Sequence, residues 1–319
     1  MQRRMTGRSP DLSRGTHART ASGMRRPALF LRLSALVAGF ISCAGVHGET
    51  QREIWNQATT PFRVIDNIYY VGTHGLCAWL IATPAGHILL DAALPESAPH
   101  IESNIRALGF ELLDVRYLLN SHAHFDHSGG LAQLKRDSGG ELIASEGDRS
   151  ALEGGFYLGS EDVAAFAAPP VRVDRVVIDG DTVSLGGVTL TANITPGHTR
   201  GCTSWSMPVT DAERELQVLF FCSSSVAANR LVGRPQYAGV VADYEKTFAR
   251  AQSLRVNVFL AGHAETFNLH QKRARMGETG PNPFIDSAEF HAYLQRSQTE
   301  FRRQLAAQQA ASAGRPLSE

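Results

Sequence analysis

Short apolar runs separated by turn residues begin near residue 60 and set the pattern of the first half of the chain. They predict β-strands, because each run is rich in β-branched or aromatic residues and is bounded by Gly, Pro, Asn or Asp. The runs read FRVIDNIYYVG, LCAWLIATPAG, HILLDAA, VRYLLNSH and ELIAS. Apolar residues at helical spacing predict helices from Pro95 to Leu108 and from Gly130 to Arg136.

The second half repeats this pattern. Strands are predicted in VRVDRVVIDGD, VSLGGVTLTANITPGH and VNVFLAGH, a helix from about Asp243 to Leu254, and a last helix in FIDSAEFHAYLQRSQTEFRRQLAAQQ. Strands joined alternately by hairpins and helices indicate an α/β layered fold with mixed sheets. With no fixed-period repeat or low-complexity linker, residues 49–319 are predicted to form a single domain.

The first 48 residues have a different character. Arginines precede the apolar run ALFLRLSALVAGFISCAG, which is short for a membrane span and is interrupted by Arg32. This order predicts a signal peptide over residues 1–48, with Met24 as a possible start and cleavage before Glu49, and therefore a periplasmic protein without stable membrane association. Lipidation of Cys43 and a twin-arginine signal at residues 25–26 remain open alternatives.

Charge and composition narrow the function classes. The 319-residue chain has no net formal charge and 43% hydrophobic residues, as expected of a globular protein with a large core. A neutral chain shows no basic stripe for nucleic acid, and no nucleic-acid partner is expected.

The six residues HAHFDH hold four side chains of the kind that bind metals. His122 and His124 lie two apart after a predicted strand, and if strand geometry persists they point to the same side and share one ion. Asp126 and His127 come just before a turn and can aim at a second ion. A chance group of surface histidines is the weaker explanation for such a cluster.

Two later strands also end in histidine. His198 follows the strand VTLTANI and His263 follows VNVFL. We expect His198 to join His122 and His124 at a first metal, and His263 to join Asp126 and His127 at a second. Three protein ligands leave a position open for water, as in catalytic rather than structural zinc sites.

The cysteines suggest one disulfide. The stretch from TSWSMPV to LQVLFFC reads as a hairpin whose turn, near residue 212, sets Cys202 opposite Cys222. In an exported protein these two are expected to pair, which leaves Cys77 as a buried thiol.

These motifs together resemble the metallo-β-lactamase superfamily over about residues 60–290. Its ligand motifs stand in order as HAHFDH, the GH of TPGHT and the GH of LAGH. The resemblance implies a four-layer αβ/βα sandwich with two mixed sheets and two zinc ions at one edge. The strand LQVLFFCSSSV ends without the bridging acid of glyoxalase II, and serine there, with all-His-plus-Asp ligands, resembles the third subclass of class B β-lactamases. TPGHTRGCTSW, PPVRVDRVVIDGD and NPFID resemble that subclass too.

The resemblance implies hydrolysis of the β-lactam amide bond of penicillins, cephalosporins and carbapenems by a metal-bound hydroxide, and thus antibiotic resistance. Asp126 would bind metal and orient the hydroxide, and Ser223 and Ser225 would bind the substrate carboxylate. In the Gly-rich stretch 152–166, Phe156 and Tyr157 are candidate apolar substrate contacts; packing within the domain is the alternative.

Two departures from the subclass concern the metal surroundings. Cys222 is expected beside the second metal, where a reduced thiol would be a competing ligand. The segment from Val226 to Leu231 stands where the subclass commonly has Pro-Gly-Tyr. Alternatives are a lactonase or thioester hydrolase on the same fold, and a secreted zinc-binding protein without catalysis. A monomer is expected.

Overall fold

Two β-sheets packed against each other form the centre of the molecule, in a computed structural model that describes residues 49–313. The predicted signal peptide lies outside the described residues. The first sheet has seven strands in the order of the chain: β1 Phe62–Ile65, β2 Ile68–Tyr70, β3 Trp79–Thr83, β4 Gly86–Leu90, β5 Val115–Leu119, β6 Glu141–Ser145 and β7 Arg175–Val177. The strands β1 to β4 pair antiparallel, and β4 to β7 pair parallel.

The second sheet has five strands in the order β12-β11-β10-β9-β8. They are β8 Thr182–Leu185, β9 Val188–Ile194, β10 Thr203–Asp211, β11 Arg214–Phe221 and β12 Val258–Ala261. Only β11 and β12 pair parallel. Both sheets are therefore mixed, as predicted.

Helices cover both outer faces. They are α1 Gln51–Asn56, α2 Ala98–Ala107, α3 Phe125–Ser128, α4 Leu131–Ser138, α5 Glu146–Gly154, α6 Val240–Ala251, α7 Leu269–Ala274 and α8 Glu289–Ala313. Buried residues of α2, α4 and α5 pack on the outer face of the first sheet, and those of α6 and α8 belong to the core of the second. The rings of Trp79 and Phe220, one from each sheet, lie 5.8 Å apart between centroids. The four-layer αβ/βα sandwich is thus confirmed.

Several element boundaries differ from the sequence prediction. The helix expected from Asp243 begins at Val240, and the last helix begins only at Glu289, because the preceding chain turns where Asp286 accepts the N–H of Ala288. Helix α1 was not predicted; it buries none of its residues and is held at its start by a Thr50–Glu53 capping box. No helix in residues 49–313 has the length and apolar character needed to cross a membrane.

Candidate metal centre

Six ligand-type side chains converge where strands of both sheets end. His122 and His124 follow β5, although the strand itself ends at Leu119 and the chain between is irregular. The short helix α3 carries Asp126 and His127. Two later chain segments deliver the others: His198 lies between β9 and β10, and His263 follows β12. Residues far apart in sequence meet here because the sheets bring their strand ends to one edge.

His122, His124 and His198 form the first group, and all three are buried. Their candidate ligand atoms lie within 4.8 Å of one another. The Nε2 atoms of His122 and His198 are 3.1 Å apart. The ring of His124 lies 4.7 Å from that of His122 and 4.6 Å from that of His198, between centroids. One ion between the three rings would therefore contact them all.

Asp126, His127 and His263 form the second group, again with candidate ligand atoms within 4.8 Å of one another. Asp126 Oδ2 is 3.3 Å from His263 Nε2 and 3.6 Å from His127 Nε2, and the two Nε2 atoms are 3.1 Å apart. The two groups adjoin each other, since the ring centroids of His122 and His127 are 4.2 Å apart. Both predicted triads are thus brought together.

Each of the two later histidines, His198 and His263, directly follows a glycine. Neighbouring side chains leave no room for a Cβ at either glycine. Gly197 has a φ of +131°, and an added Cβ would lie 2.7 Å from the Tyr244 ring. At Gly262 a Cβ would lie 2.4 Å from Cε1 of His127. Only glycine lets the backbone pass this close to the His127 ring.

Hydrogen bonds fix the far nitrogens of two histidines of the first group, His122 and His198. His198 Nδ1 donates to the carbonyl of Ser225 at 2.7 Å, which leaves Nε2 as the free acceptor. His122 Nδ1 lies 3.0 Å from Ser121 Oγ, and this hydroxyl is 2.6 Å from Asp91 Oδ2. Burial raises the pKa of Asp91 to about 7. Above that pH the serine donates to the carboxylate and accepts the His122 proton, and so His122 Nε2 is also bare.

The second group has less support. His127 Nδ1 and His263 Nδ1 are both buried without a hydrogen-bond partner. The nearest acceptor to His127 Nδ1 is Asp91 Oδ2, at 3.7 Å, too far for a hydrogen bond. Trp55 on α1 packs edge-on against the His263 ring, with centroids 5.2 Å apart. Packing, rather than a hydrogen bond at Nδ1, therefore orients these two rings.

The protonation states suit metal binding. Burial holds the pKa of His122 and His124 well below the usual value and lowers those of His198 and His127 to about 4 and about 3. The pKa of Asp126 is also lowered: burial opposes ionisation, but His127 and His263 outweigh it. Neutral imidazoles and an ionised carboxylate are the forms that bind metals.

The donor set fits a divalent metal. In the first group, two bare Nε2 lone pairs face each other across 3.1 Å, an arrangement that repels unless a cation lies between them. Imidazole nitrogen with one carboxylate is a donor set that zinc accepts. Both sites are therefore consistent with a divalent metal such as zinc.

The predicted disulfide is present, and it lies next to the first group. Cys202 and Cys222 are bonded, with their Cα atoms 5.8 Å apart. The expectation that Cys222 lies beside the second metal is wrong: its Sγ is 3.6 Å from His122 Nδ1. His122, Cys202 and Cys222 lie close enough together to form a third possible metal site. Because both sulfurs belong to the disulfide, this group offers no thiolate to a metal. Cys77 is a free, buried thiol, as expected.

A cleft of about 370 Å³ opens over the two groups. Ser223, Ser225 and Tyr157 line it, as expected of substrate contacts. Phe156 does not; it packs against the apolar cluster under the first sheet, so its prediction as a substrate contact is not supported by its position. The ring of Tyr157 stacks on that of His124 with centroids 4.0 Å apart.

Other residues around the centre were not predicted from sequence. Trp55, Phe125, Phe166, Glu265, Thr266 and Tyr293 also line the cleft. Asp91 had a usable signal, because it is an acid directly after the apolar strand β4. Trp55 had none, since nothing in its local sequence indicates contact with His263.

Comparisons with known proteins agree with this geometry. A model of the family described as "Metallo-beta-lactamase superfamily" matches residues 77–212. The structure is similar to that of BJP-1, a subclass B3 metallo-beta-lactamase of Bradyrhizobium japonicum, with a TM-score of 0.80 and 49% identity over 81% of this chain and 98% of that one. It is also similar to native FEZ-1 metallo-beta-lactamase from Legionella gormanii, with a TM-score of 0.77 and 34% identity over 80% and 98% of the two chains.

Curated relatives have other activities. An acyl-coenzyme A thioesterase, MBLAC2 of Gallus gallus, is 27% identical over 229 residues, which are 64% of this chain and 77% of that protein. The first two curated relatives are matched over only 36% and 34% of their own lengths. The comparisons thus support a hydrolase and leave its substrate to be argued from the cleft.

Proposed function

The chain belongs to the metallo-beta-lactamase superfamily, and from this membership we propose that it is a class B metallo-β-lactamase. It hydrolyses the amide bond of penicillins, cephalosporins and carbapenems with two zinc ions, and so protects its host from these antibiotics. The observation that carries the proposal is the pair of adjacent three-ligand groups beneath one open cleft. Each ion would have only three protein ligands, and so a coordination position would remain open to substrate or water. This argues against a zinc-binding protein without catalysis.

The six side chains divide into the two groups already described. His122, His124 and His198 hold the first ion; Asp126, His127 and His263 hold the second. Bound zinc supplies Lewis-acid polarisation of a carbonyl and activation of water. Asp126 also orients the attacking water through its carboxylate. No protein nucleophile is needed.

The cleft is suited to a small substrate with a carboxylate. No lysine or arginine lines it among the described residues, so the serine hydroxyls are its neutral donors for an anion. Ser223 Oγ and Ser225 Oγ are 3.2 Å apart and can both reach one carboxylate. Tyr157 and Phe166, with ring centroids 5.1 Å apart, form an apolar wall beside them. Single changes of Ser223 or Ser225 to Ala should therefore raise KM more than they lower kcat.

The test is hydrolysis of a carbapenem and a cephalosporin by the purified mature protein. Activity should vanish with a chelator and return with zinc. His263→Ala should lose activity, whereas His291→Ala, a change at a histidine outside the cleft, should not. Absence of turnover by a folded protein containing two zinc ions would contradict the proposal.

A thioester hydrolase or lactonase is the second candidate, favoured by the similarity to an acyl-coenzyme A thioesterase. The same preparation should be assayed with an acyl-coenzyme A and an acyl homoserine lactone. Faster turnover of either than of every β-lactam would replace the first candidate. The expected monomer and the periplasmic location remain predictions.

A further inference from the structure

Asn229 lies behind the first metal group, in the segment that departs from the resembled subclass. Its side chain is buried and does not line the cleft. Its amide nevertheless bonds directly to the backbone of one candidate ligand, His198, and contacts Tyr157, whose ring stacks on another, His124. The inference rests on the proposed metal centre.

The hydrogen bonds determine which way the amide points. Nδ2 lies 2.8 Å from the carbonyl of His198, which can only accept, so the NH2 group must face it. Oδ1 then faces Tyr157 and accepts its hydroxyl proton at 2.8 Å. Nδ2 also lies 3.1 Å from Tyr244 Oη. The oxygen and both hydrogens of the amide thus have partners.

Two of these bonds act on His198. One holds the backbone carbonyl of His198 directly. The other supports Tyr244, whose hydroxyl donates to the carbonyl of Ser225 at 2.7 Å. That same carbonyl accepts the proton of His198 Nδ1 at 2.7 Å. Asn229 therefore supports both the main chain of His198 and the acceptor that sets its ring.

The third bond acts on His124. The ring of Tyr157 lies over that of His124, 12° from parallel. With its hydroxyl held by Asn229, Tyr157 cannot turn away from the imidazole without breaking a buried hydrogen bond. His124 and His198 are thus linked through one amide, at 4.6 Å between ring centroids.

The asparagine is itself held from the far side. The backbone carbonyl of Asn229 accepts from Gln308 Nε2 on α8 at 3.1 Å, and Gln308 Oε1 accepts the backbone N–H of Leu231 at 2.7 Å. Aspartate would lack the two donors, and leucine would lack all three bonds. The position therefore requires a side chain with both an acceptor and two donors.

We propose that Asn229 is a positioning residue for the first metal: its amide fixes Tyr157 and His198 relative to each other, so that His124 and His198 keep the separation one zinc ion needs.

The test measures zinc affinity rather than turnover. Wild type and Asn229→Ala are titrated with zinc against a chromophoric chelator, and the visible spectrum of each cobalt-substituted protein is recorded. We expect the tighter zinc to bind roughly 10- to 100-fold more weakly in Asn229→Ala, with a changed cobalt spectrum. Tyr157→Phe, which keeps the ring but loses the hydroxyl, should weaken it roughly two- to tenfold. The double variant should bind no more weakly than Asn229→Ala alone.

Asn104→Ala is the matched control. Asn104 is also buried, and its amide donates to the carbonyls of Val71 and Gly72, away from the cleft. Its loss should lower thermal stability and leave zinc affinity unchanged. Unchanged zinc affinity in both Asn229→Ala and Tyr157→Phe would overturn the role inferred for Asn229 and leave the proposed metal centre standing. A folded wild-type protein that binds no zinc would overturn the metal centre, and this inference with it.

Discussion

The two groups of candidate ligands differ in what holds their rings before any metal arrives. In the first, His122 and His198 each donate a far proton to an oxygen, and His124 lies under Tyr157. In the second, neither histidine has a partner for its far nitrogen, and the side chain of His263 is 26% exposed.

The difference indicates two kinds of site on one cleft. A ligand whose tautomer and rotamer are already fixed loses little freedom on binding, and this favours affinity. A ligand that metal must orient binds more weakly and leaves more easily. The first site is therefore expected to act as a permanent centre, and the second to depend on the supply of metal.

Removing one ligand from each group should give the largest effects. His198→Ala should lower kcat/KM for a β-lactam on the order of 10³-fold, because several kcal/mol of electrostatic stabilisation are lost. It should also lose the tighter zinc, whereas His263→Ala should retain it. Metal content after dialysis checks both. Equal retention of zinc by the two variants would remove the distinction between the groups.

Removing the disulfide should act on the first group more than on the second. Replacing Cys202 and Cys222 by Ala opens a link between residues 20 apart, and should lower the free energy of unfolding in urea by about 3 kcal/mol. Because Cys222 Sγ lies 3.6 Å from His122 Nδ1, the tighter zinc should also loosen. Cys77→Ala, which removes a buried free thiol, is the control. It should lower the free energy of unfolding by about 1 kcal/mol and leave zinc affinity unchanged. A loss confined to the weaker zinc would argue against this assignment.

Zinc should leave the wild-type protein in two steps. We expect half-occupancy at free zinc concentrations that differ by roughly 10- to 100-fold, since only the first group has hydrogen-bonded far nitrogens. Dialysis against zinc buffers, followed by metal analysis, measures both steps. A single step with two equal sites would show that the hydrogen bonds do not set affinity here.

Trp55 offers the finest test, because it supports only the second group. Trp55→Ala removes the edge-on contact with His263 and should weaken the weaker zinc by roughly two- to tenfold, without affecting the tighter one. Trp55→Phe keeps an aromatic ring at the position, and its affinity for the weaker zinc should lie between those of the wild type and Trp55→Ala. An equal effect on both zinc ions would mean that α1 stabilises the whole cleft rather than His263.

The fold and the candidate ligands were largely readable in the sequence. Alternating strands and helices predicted the layers, and the strand ends carried HAHFDH, His198 and His263 in the order in which the structure brings them together. The disulfide between Cys202 and Cys222 was predicted from the hairpin, but the expected register is one residue off: Trp205 pairs with Phe220, which sets Cys222 opposite Thr203. These features are local, because strand periodicity and ligand spacing act over a few residues.

The features that the sequence left open or assigned differently concern side chains and short elements whose place depends on distant neighbours. Phe156 and Tyr157 are adjacent in sequence, yet only Tyr157 lines the cleft, while Phe156 packs under the first sheet. Cys222 was assigned to the wrong metal, because strand pairing does not say which histidine the sulfur will face. Helix α1 was missed because it is short and buries nothing of its own.

The sequence by itself determined the layered fold, the disulfide and the set of six candidate ligands, since each rests on a periodic or closely spaced pattern. Only the tertiary structure decided how each ligand is supported. The partners of His122, His124, His198 and His263 come from other strands, loops and helices, and their contacts depend on long-range packing. Asn229 and Trp55 carry no signal in their own segments, because a hydrogen bond across 31 residues or a ring contact across 208 residues leaves no local pattern.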